Sequence, residues 1–410
     1  MLTLAGVAYA SIPDAKGVIH GCRNNAGGAL IVIDSDAGQT CPTGYTALNW
    51  SQTGPAGPAG AGTATPGLVQ LDSFTGTNDD AKLDAAIAAV QATSAGSYYP
   101  AIQFPRRTVS LTRGNRVPFS GLKLIGPGAS TGPKNLELSG GAFANGKVSL
   151  DLGANPWFAG SGIYYDVYVS DLAFQLGSGS RFWDQNIGTL YAAEFHALTM
   201  YGGAGVFGNS YNKALFTQVL LTGHWTVLGF TDTPFHIGGS DNSLWENGYL
   251  NIEGPAGGAG RYQVIADSLQ KTDYGNMYVT SHNGWRGLWV RGASNRLNFF
   301  GGEFEGRNAS DPCLGSLIKV DGGSVAFYGP WLGYAMSAPT SGENGVIQVN
   351  GGDVMLVRPV YGNGSTAATV PMVSVDGGRV YVQAAYGIGG RPVVHDGAGT
   401  PIVDSSVVTN

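Results

Sequence analysis

One ten-residue phrase occurs three times near the end of the chain, and it constrains the fold more than any other feature. The copies begin at Ile318, Ile347 and Val373, so they are offset by 29 and 26 residues. They read Ile-Lys-Val-Asp-Gly-Gly-Ser-Val-Ala-Phe, Ile-Gln-Val-Asn-Gly-Gly-Asp-Val-Met-Leu and Val-Ser-Val-Asp-Gly-Gly-Arg-Val-Tyr-Val. Apolar residues alternate on both sides of an Asx-Gly-Gly corner, which predicts two short strands joined by a turn. Asn, Asp and Gly suit the corner because they tolerate left-handed backbone conformations.

A strand pair this short cannot bury its apolar face alone, so the repeat implies stacked coils around one continuous core. Strands that return in the same direction form parallel sheets, and the crossover rule favours a right-handed path. We therefore predict an all-β fold, a right-handed single-stranded parallel β-helix. The composition agrees with this fold. Glycine makes up 66 of the 410 residues, about 16%, and charged residues make up 12%. Ordinary domains contain about 7% glycine and 25% charged residues.

The cysteines predict one disulfide and no metal site. Cys22 and Cys41 flank a Gly- and Asn-rich segment, so we predict that they are bonded, the alternative being two free thiols in a reducing compartment. The third cysteine, Cys313, is expected to be a half-buried thiol rather than a nucleophile. No CxxC or HExxH spacing occurs, and we predict neither a metal nor a cofactor.

We divide the chain into an N-terminal attachment module over 1–53, a Pro/Gly linker over 54–67 and the β-helix over 68–410. The module starts with a short apolar stretch, Leu2 to Ala10, that resembles the end of a secretory signal but lacks its basic front. The linker has a Gly-X-Y register from Gly54 to Gly62. That register is too short for a stable triple helix, although it is compatible with three chains meeting at an axis. A flexible linker is the alternative.

The N-terminal module resembles one common in secreted actinobacterial proteins, where it leads into collagen-like repeats. The residues that carry this resemblance are Gly17 to Cys22, Gly38 to Cys41 and Ala47 to Gly60.

The start of the β-helix resembles the pectate-lyase-like family, which includes many phage tailspikes. An entry over 72–80 is followed by an Ala-rich segment with Leu83, Ile87 and Val90 on one face, then by the strand candidates Ile102 to Pro105 and Leu122 to Gly126. The apolar spacing predicts a helix over about 79–93, capped by Asn78 or Asp79. In the family this helix covers the open end of the solenoid. The chain departs from the family pattern at Arg106-Arg107, where a Gly is usual.

Charge and hydropathy exclude two classes of partner. The net charge is −6 and no run of Lys or Arg is of the kind that nucleic acid requires, so nucleic acid is not expected as a partner. No apolar run approaches the ~20 residues that span a membrane.

A column of residues before a second corner is the main candidate site. Its members lie 23 to 29 residues apart, one coil each: Glu253, His282, Glu305, Leu332, Tyr361 and Tyr386. Alternation places Ile252, Phe304 and Val360 inward, so we expect the column to face outward. Glu253 and Glu305 would then stand roughly 10 Å apart with His282 between them, and Glu303 would share the face at about 7 Å.

Such carboxylates suit an inverting glycoside hydrolase, in which one protonates the leaving oxygen and the other activates water across roughly 6.5–9.5 Å. Glu253, Glu305 and Glu303 are thus candidate acids and bases, and His282 is a candidate positioning group. Tyr361 and Tyr386 are expected to stack on sugar rings. The alternative is that outward acids are solvated and that the tyrosines fill a seam between subunits.

A second cluster mixes aromatic and acidic residues in the manner of a sugar cleft. It comprises Arg181, Phe182, Trp183, Asp184, Glu194 and His196, with Trp183 and Asp184 as the candidate sugar-binding residues. Core or loop packing is the alternative.

Together with the resemblance to phage tailspikes and tail fibres, these features imply an extracellular protein, either borne on a virion or secreted, that binds polysaccharide. We expect a homotrimer, with other virion or tail proteins as further partners. Whether it is an enzyme stays open. Glycoside hydrolysis is favoured over lyase chemistry, and the alternative is a non-catalytic adhesin or structural fibre protein.

Overall fold

The computed structural model divides the chain into two compact units, Met1–Thr63 and Ala64–Asn410. The structure describes residues 12, 14, 18–51, 67–93, 99–128, 146–239, 244–246, 250–254, 258, 260–268, 272–275, 277–281, 284–306, 315–333, 345–361, 371–387, 394–397, 399–403 and 408–409. Cys313, His282 and the predicted linker up to residue 66 lie outside these residues.

The first unit contains a small antiparallel sheet. Its strands are β1 (Val18–Asn24), β2 (Leu30–Ile33) and β3 (Tyr45–Ser51), in the order β2-β1-β3. Cys22 on β1 is bonded to Cys41, with the two Cα atoms 5.6 Å apart. The predicted disulfide is therefore confirmed.

The second unit is built from three long sheets whose strand pairs are all parallel among the described residues. Sheet I contains β4 (Leu68–Gln70), β5 (Ala101–Gln103), β7 (Lys123–Ile125), β11 (Tyr168–Ser170), β15 (Glu194–His196), β19 (Leu220–Thr222), β22 (Leu244–Glu246), β25 (Thr272–Gly275), β28 (Arg296–Phe300), β31 (Ser324–Tyr328), β34 (Asp353–Val357), β37 (Arg379–Gln383) and β40 (Thr400–Val403). Sheet II contains β6 (Val109–Leu111), β8 (Val148–Leu150), β12 (Ala173–Leu176), β16 (Thr199–Gly202), β20 (Trp225–Leu228), β23 (Leu250–Glu253), β26 (Met277–Ser281), β29 (Glu303–Gly306), β32 (Trp331–Leu332), β35 (Val360–Tyr361), β38 (Tyr386–Gly387) and β41 (Val408–Thr409). Sheet III contains β9 (Pro156–Ala159), β10 (Ile163–Tyr165), β13 (Arg181–Asp184), β14 (Thr189–Tyr191), β17 (Gly205–Phe207), β18 (Ala214–Thr217), β21 (Phe235–Gly239), β24 (Tyr262–Asp267), β27 (Arg286–Arg291), β30 (Ile318–Val320), β33 (Ile347–Val349), β36 (Val373–Val375) and β39 (Val394–Asp396).

The chain passes from sheet III to sheet I to sheet II and then begins the next coil. Ile318 pairs with Ile347, and Ile347 pairs with Val373. The repeat offsets are therefore the lengths of single coils. The predicted all-β parallel solenoid is confirmed.

Inward side chains of the three sheets form one apolar core. Its first half is rich in rings, such as Trp157, which lies 5.4 Å from Phe174 between ring centroids. Its second half is mostly Val, Ile and Leu, with a stacked pair formed by Phe299 and Phe327 at 4.7 Å. Because the coils stack in register, the inward side chains of each coil pack against those of the coils before and after it, as a solenoid requires.

The predicted helix is α1 (Asp79–Ala92), which follows a short 3-10 turn, Leu71–Ser73. The Asn78 side chain accepts a hydrogen bond from the backbone N–H of Ala81, so Asn78 is the N-cap. Leu83, Ala86 and Val90 are fully buried against the first coils. No helix among the described residues is long and apolar enough to cross a membrane.

Ion pairs fasten α1 to the solenoid. Arg107, one of the two arginines that depart from the family pattern, pairs with Asp72 and with Asp79. Arg116 is 2% exposed and donates to Asp80, which is also nearly buried, at 2.5 Å. Burial raises the pKa of Asp80, but the Thr112 N–H, the Arg116 guanidinium and the Thr112 hydroxyl outweigh it and hold the pKa below its usual range. The helix is thus oriented by charge as well as by apolar contact.

The Asx-Gly-Gly corners stack directly on one another. Gly323, Gly352 and Gly378 have φ values of +88°, +83° and +79°, in the left-handed region. A Cβ on Gly352 would lie 2.4 Å from the carbonyl oxygen of Gly323. The corner therefore needs glycine both for its backbone angle and for the close approach of the coil beside it.

Candidate functional site

Glu303 and Glu305 lie on the outer face of sheet II. Both are on β29, and Phe304 between them is fully buried in the core. Because side chains alternate along a strand, the two glutamates share the outer face, where both are half-buried. Two of the predicted carboxylates are therefore placed together.

Trp331 was missed by the sequence analysis and lies beside these carboxylates. Trp331 lies on β32, one coil after β29, and pairs with Glu303. A Cβ on Gly333 would lie 2.1 Å from the Trp331 ring and 3.1 Å from Cγ of Glu305. The indole and the Glu305 side chain thus converge over a glycine that leaves them room. The signal was present, because pairing the apolar residues Phe304 and Leu332 sets the correct register.

The register corrects the middle of the predicted column. Glu253 on β23 pairs with Thr280 on β26, and Thr280 pairs with Glu305. Thr280, not His282, therefore stands between the two glutamates. His282 lies outside the described residues, and its positioning role stays a prediction. The backbone of Glu253 is two coils from Glu305, which is roughly 10 Å along the solenoid.

The two predicted tyrosines have opposite environments. Tyr361 pairs with Leu332, an inward residue, and is 1% exposed. The prediction that its ring stacks on a sugar is wrong, because Leu332 pairs with the inward Phe304 and not with Glu305, which places Tyr361 on the inward side as well. Tyr386 is 54% exposed and stands in the outward column that runs from Glu303 through Trp331 and Val360.

The second predicted cluster is divided between faces. Trp183 is fully buried, and its ring stacks on Phe158 at 4.7 Å, so its predicted contact with sugar is wrong. Glu194 and His196 lie on sheet I, whereas Asp184 lies on sheet III. Burial raises the pKa of Asp184, against the Asn186 N–H and the charge of Arg181. These residues do not form one cleft.

A buried polar cluster lies on sheet III. His236 is fully buried, and its Nδ1 lies 2.5 Å from the carbonyl oxygen of Asn209. Its Nε2 is 3.3 Å from Oδ2 of Asp267 and 3.1 Å from Nη2 of Arg291. The hydrogen bond with His236, together with the charges of Arg291 and Lys213, lowers the pKa of Asp267 to about 2 against the opposing effect of burial. This cluster holds the loop before β18 and is separate from the carboxylates of sheet II.

Comparisons with known proteins add little to this geometry. No family model matches the chain. No curated protein matches it either. One solved structure with some likeness is ORF18 of Geobacillus virus E2, which is 14% identical with a TM-score of 0.44 over 82% of this chain and 61% of that one. This chain therefore spans about three fifths of that protein's length, and the fold assignment depends on the strand pairing given above.

Proposed function

We propose that this chain is an extracellular β-solenoid spike that binds cell-surface polysaccharide on sheet II and hydrolyses it through Glu303 and Glu305. The observation that carries the proposal is the pair of outward carboxylates on one strand with the Trp331 ring beside them. A flat aromatic surface next to two acids is what a sugar ring and its glycosidic oxygen require.

The spacing selects a mechanism. Residues two apart on a strand are separated by roughly 7 Å, within the range of about 6.5–9.5 Å for inverting glycosidases. One carboxyl group protonates the leaving oxygen while the other activates a water on the opposite side of the sugar. Trp331 stacks on the sugar that reacts, and Tyr386, three coils beyond Glu303, contacts the same polysaccharide. Glu253, whose backbone lies two coils from Glu305, stays a candidate acid or base.

Two features support the proposed location and assembly. The Cys22–Cys41 bond suits an oxidising compartment, hence a protein that is secreted or borne on a virion. The Gly-X-Y register from Gly54 to Gly62 supports a homotrimer, which would attach to other virion or tail proteins through the N-terminal module.

The test is to incubate the protein with capsular and cell-wall polysaccharides and to measure chain length and new reducing ends. Glu305→Gln should reduce the rate at least 100-fold, because it removes a group that transfers a proton. The matched control is Glu194→Gln on sheet I, which should leave the rate unchanged. An unchanged rate for Glu305→Gln would reject the assignment.

The competing function is a non-catalytic adhesin or structural spike. It is favoured by the half-buried state of both glutamates, which contact other parts of the protein. A wild-type protein that binds polysaccharide but releases no new ends would establish it. An unsaturated product that absorbs ultraviolet light would instead indicate a lyase.

A further inference from the structure

A groove of about 420 Å³ runs across the outer face of sheet I, on a different face from Glu303 and Glu305. Its outward lining residues are Asn298, Ser324, Ala326, Tyr328, Asp353, Met355, Arg379 and Tyr381. They come from four consecutive coils, β28, β31, β34 and β37.

The groove exists because one strand carries small outward residues between larger neighbours. Ser324 and Ala326 on β31 are small. In register with Ala326 lie Asn298 on one side and Met355 on the other. Ser324 is flanked by Asp353 in the next coil. The floor is therefore apolar at Ala326 and Met355.

Aromatic rings border this floor. Tyr328 stacks on Phe300 in the preceding coil, with ring centroids 5.1 Å apart and planes within 8°. The Phe300 ring thereby fixes the orientation of Tyr328. Tyr381 is half-buried and pairs with Met355 on the far side of the groove. Rings held in place offer contact area at little cost in conformational entropy.

The rim is polar and partly preorganised. Arg379 donates to both carboxylate oxygens of Asp353, from Nε at 2.7 Å and from Nη2 at 2.8 Å. The bidentate pair holds both side chains in position although they remain largely exposed. Asn298 is held by a hydrogen bond, which its side-chain amide donates to Oδ1 of Asp273 at 2.7 Å.

We propose that this groove is a second binding site, which holds a segment of a pyranose polysaccharide. The apolar floor and the Tyr328 and Tyr381 rings receive the C–H faces of the sugars, while Asp353, Arg379 and Asn298 exchange hydrogen bonds with the hydroxyl groups. An apolar surface with a few convergent polar groups is the usual composition of a ligand site. The inference shares only its ligand class with the proposed function. It adds a contact face that does no chemistry and raises the retention of a long chain that also reaches sheet II.

The experiment measures binding to a printed array of bacterial capsular and cell-wall polysaccharides. Glu305→Gln serves as the parent so that the ligand is not cleaved. Ala326→Phe fills the groove without removing a polar group, and Tyr381→Ala removes one wall. Each should weaken binding about 10-fold, which corresponds to roughly 1.4 kcal/mol. The control is Tyr211→Ala, since Tyr211 is 88% exposed in a loop of sheet III.

The outcomes separate the two sites. Loss of binding by both groove variants, with an unchanged melting temperature and an unchanged Tyr211→Ala control, supports the groove. Parental binding by Ala326→Phe and Tyr381→Ala, with loss by Trp331→Ala, overturns the groove and leaves the sheet II proposal standing. A parent that binds no polysaccharide on the array overturns both.

Discussion

The side-chain amide of Asn350 donates a 2.8 Å hydrogen bond to Oδ1 of Asp321, 29 residues earlier in the chain. Gln348 extends the contact, because its amide donates to Asn350 at 3.0 Å and to Asp376 at 2.9 Å. The Asx residues of the three repeat copies thus form one column of polar contacts. The same residues that allow each corner to turn also join successive coils.

Gly352, in the Asx-Gly-Gly corner of the second repeat copy, should be intolerant of substitution. Gly352→Ala would place a Cβ 2.4 Å from the Gly323 carbonyl oxygen at a φ of +83°. We expect a loss of about 3 kcal/mol or more, since the backbone must shift in a stacked coil. Urea unfolding measures it.

The matched control is Gly329→Ala. Gly329 has a φ of +65°, but no atom lies within 4 Å of its added Cβ. Gly329→Ala should lower the free energy of unfolding by only roughly 1 kcal/mol, which is the cost of holding alanine in the left-handed conformation. Equal losses for the two variants would contradict the role of coil stacking at Gly352.

The buried arginine beneath the capping helix should contribute far more than its exposed neighbour. Arg116→Met leaves Asp80 as a buried charge without its partner, and we expect a loss of roughly 3 kcal/mol. Arg113→Met removes an ion pair with Asp84 whose arginine is 60% exposed, and it should cost less than about 1 kcal/mol. Thermal unfolding compares them. Similar losses would refute the proposed anchoring of α1.

Asp267 should make stability depend on pH in a defined window. Its pKa in the folded protein is about 2, below the usual value of about 3.9, so its stabilisation is fully present above about pH 4 and is lost as the pH falls through 2. The free energy of unfolding of the wild-type protein should exceed that of Asp267→Asn by about 2 kcal/mol at pH 6 and by much less at pH 2. A difference that is constant from pH 6 to pH 2 would exclude this linkage. Urea unfolding at each pH measures it.

The sequence predicted the solenoid because the repeat period is a physical quantity, the length of one coil. It also located α1, since apolar spacing and an Asn cap act locally. Site residues near the repeats were harder to place. The sequence analysis aligned Leu332 with Glu305, whereas Leu332 pairs with Phe304. Because alternation has a period of two, this slip of one residue reversed the predicted directions of Leu332 and Tyr361.

The prediction that Trp183 contacts sugar was wrong for another reason. Both Phe182 and Trp183 are fully buried although they are consecutive on β13. Strict alternation cannot predict this, and composition alone does not distinguish a sugar cleft from an aromatic core. The groove at Ala326 was equally invisible, since it arises from the sizes of side chains on neighbouring coils and not from any motif.

The central claim is that Glu303 and Glu305 cleave a glycosidic bond across about 7 Å. Proton NMR of the first product formed from a cleaved polysaccharide reports its anomeric configuration. The account predicts inversion by the wild-type protein and product formed at least 100-fold more slowly by Glu305→Gln. A retained anomer, an unsaturated sugar, or product formed equally by Glu305→Gln would contradict it.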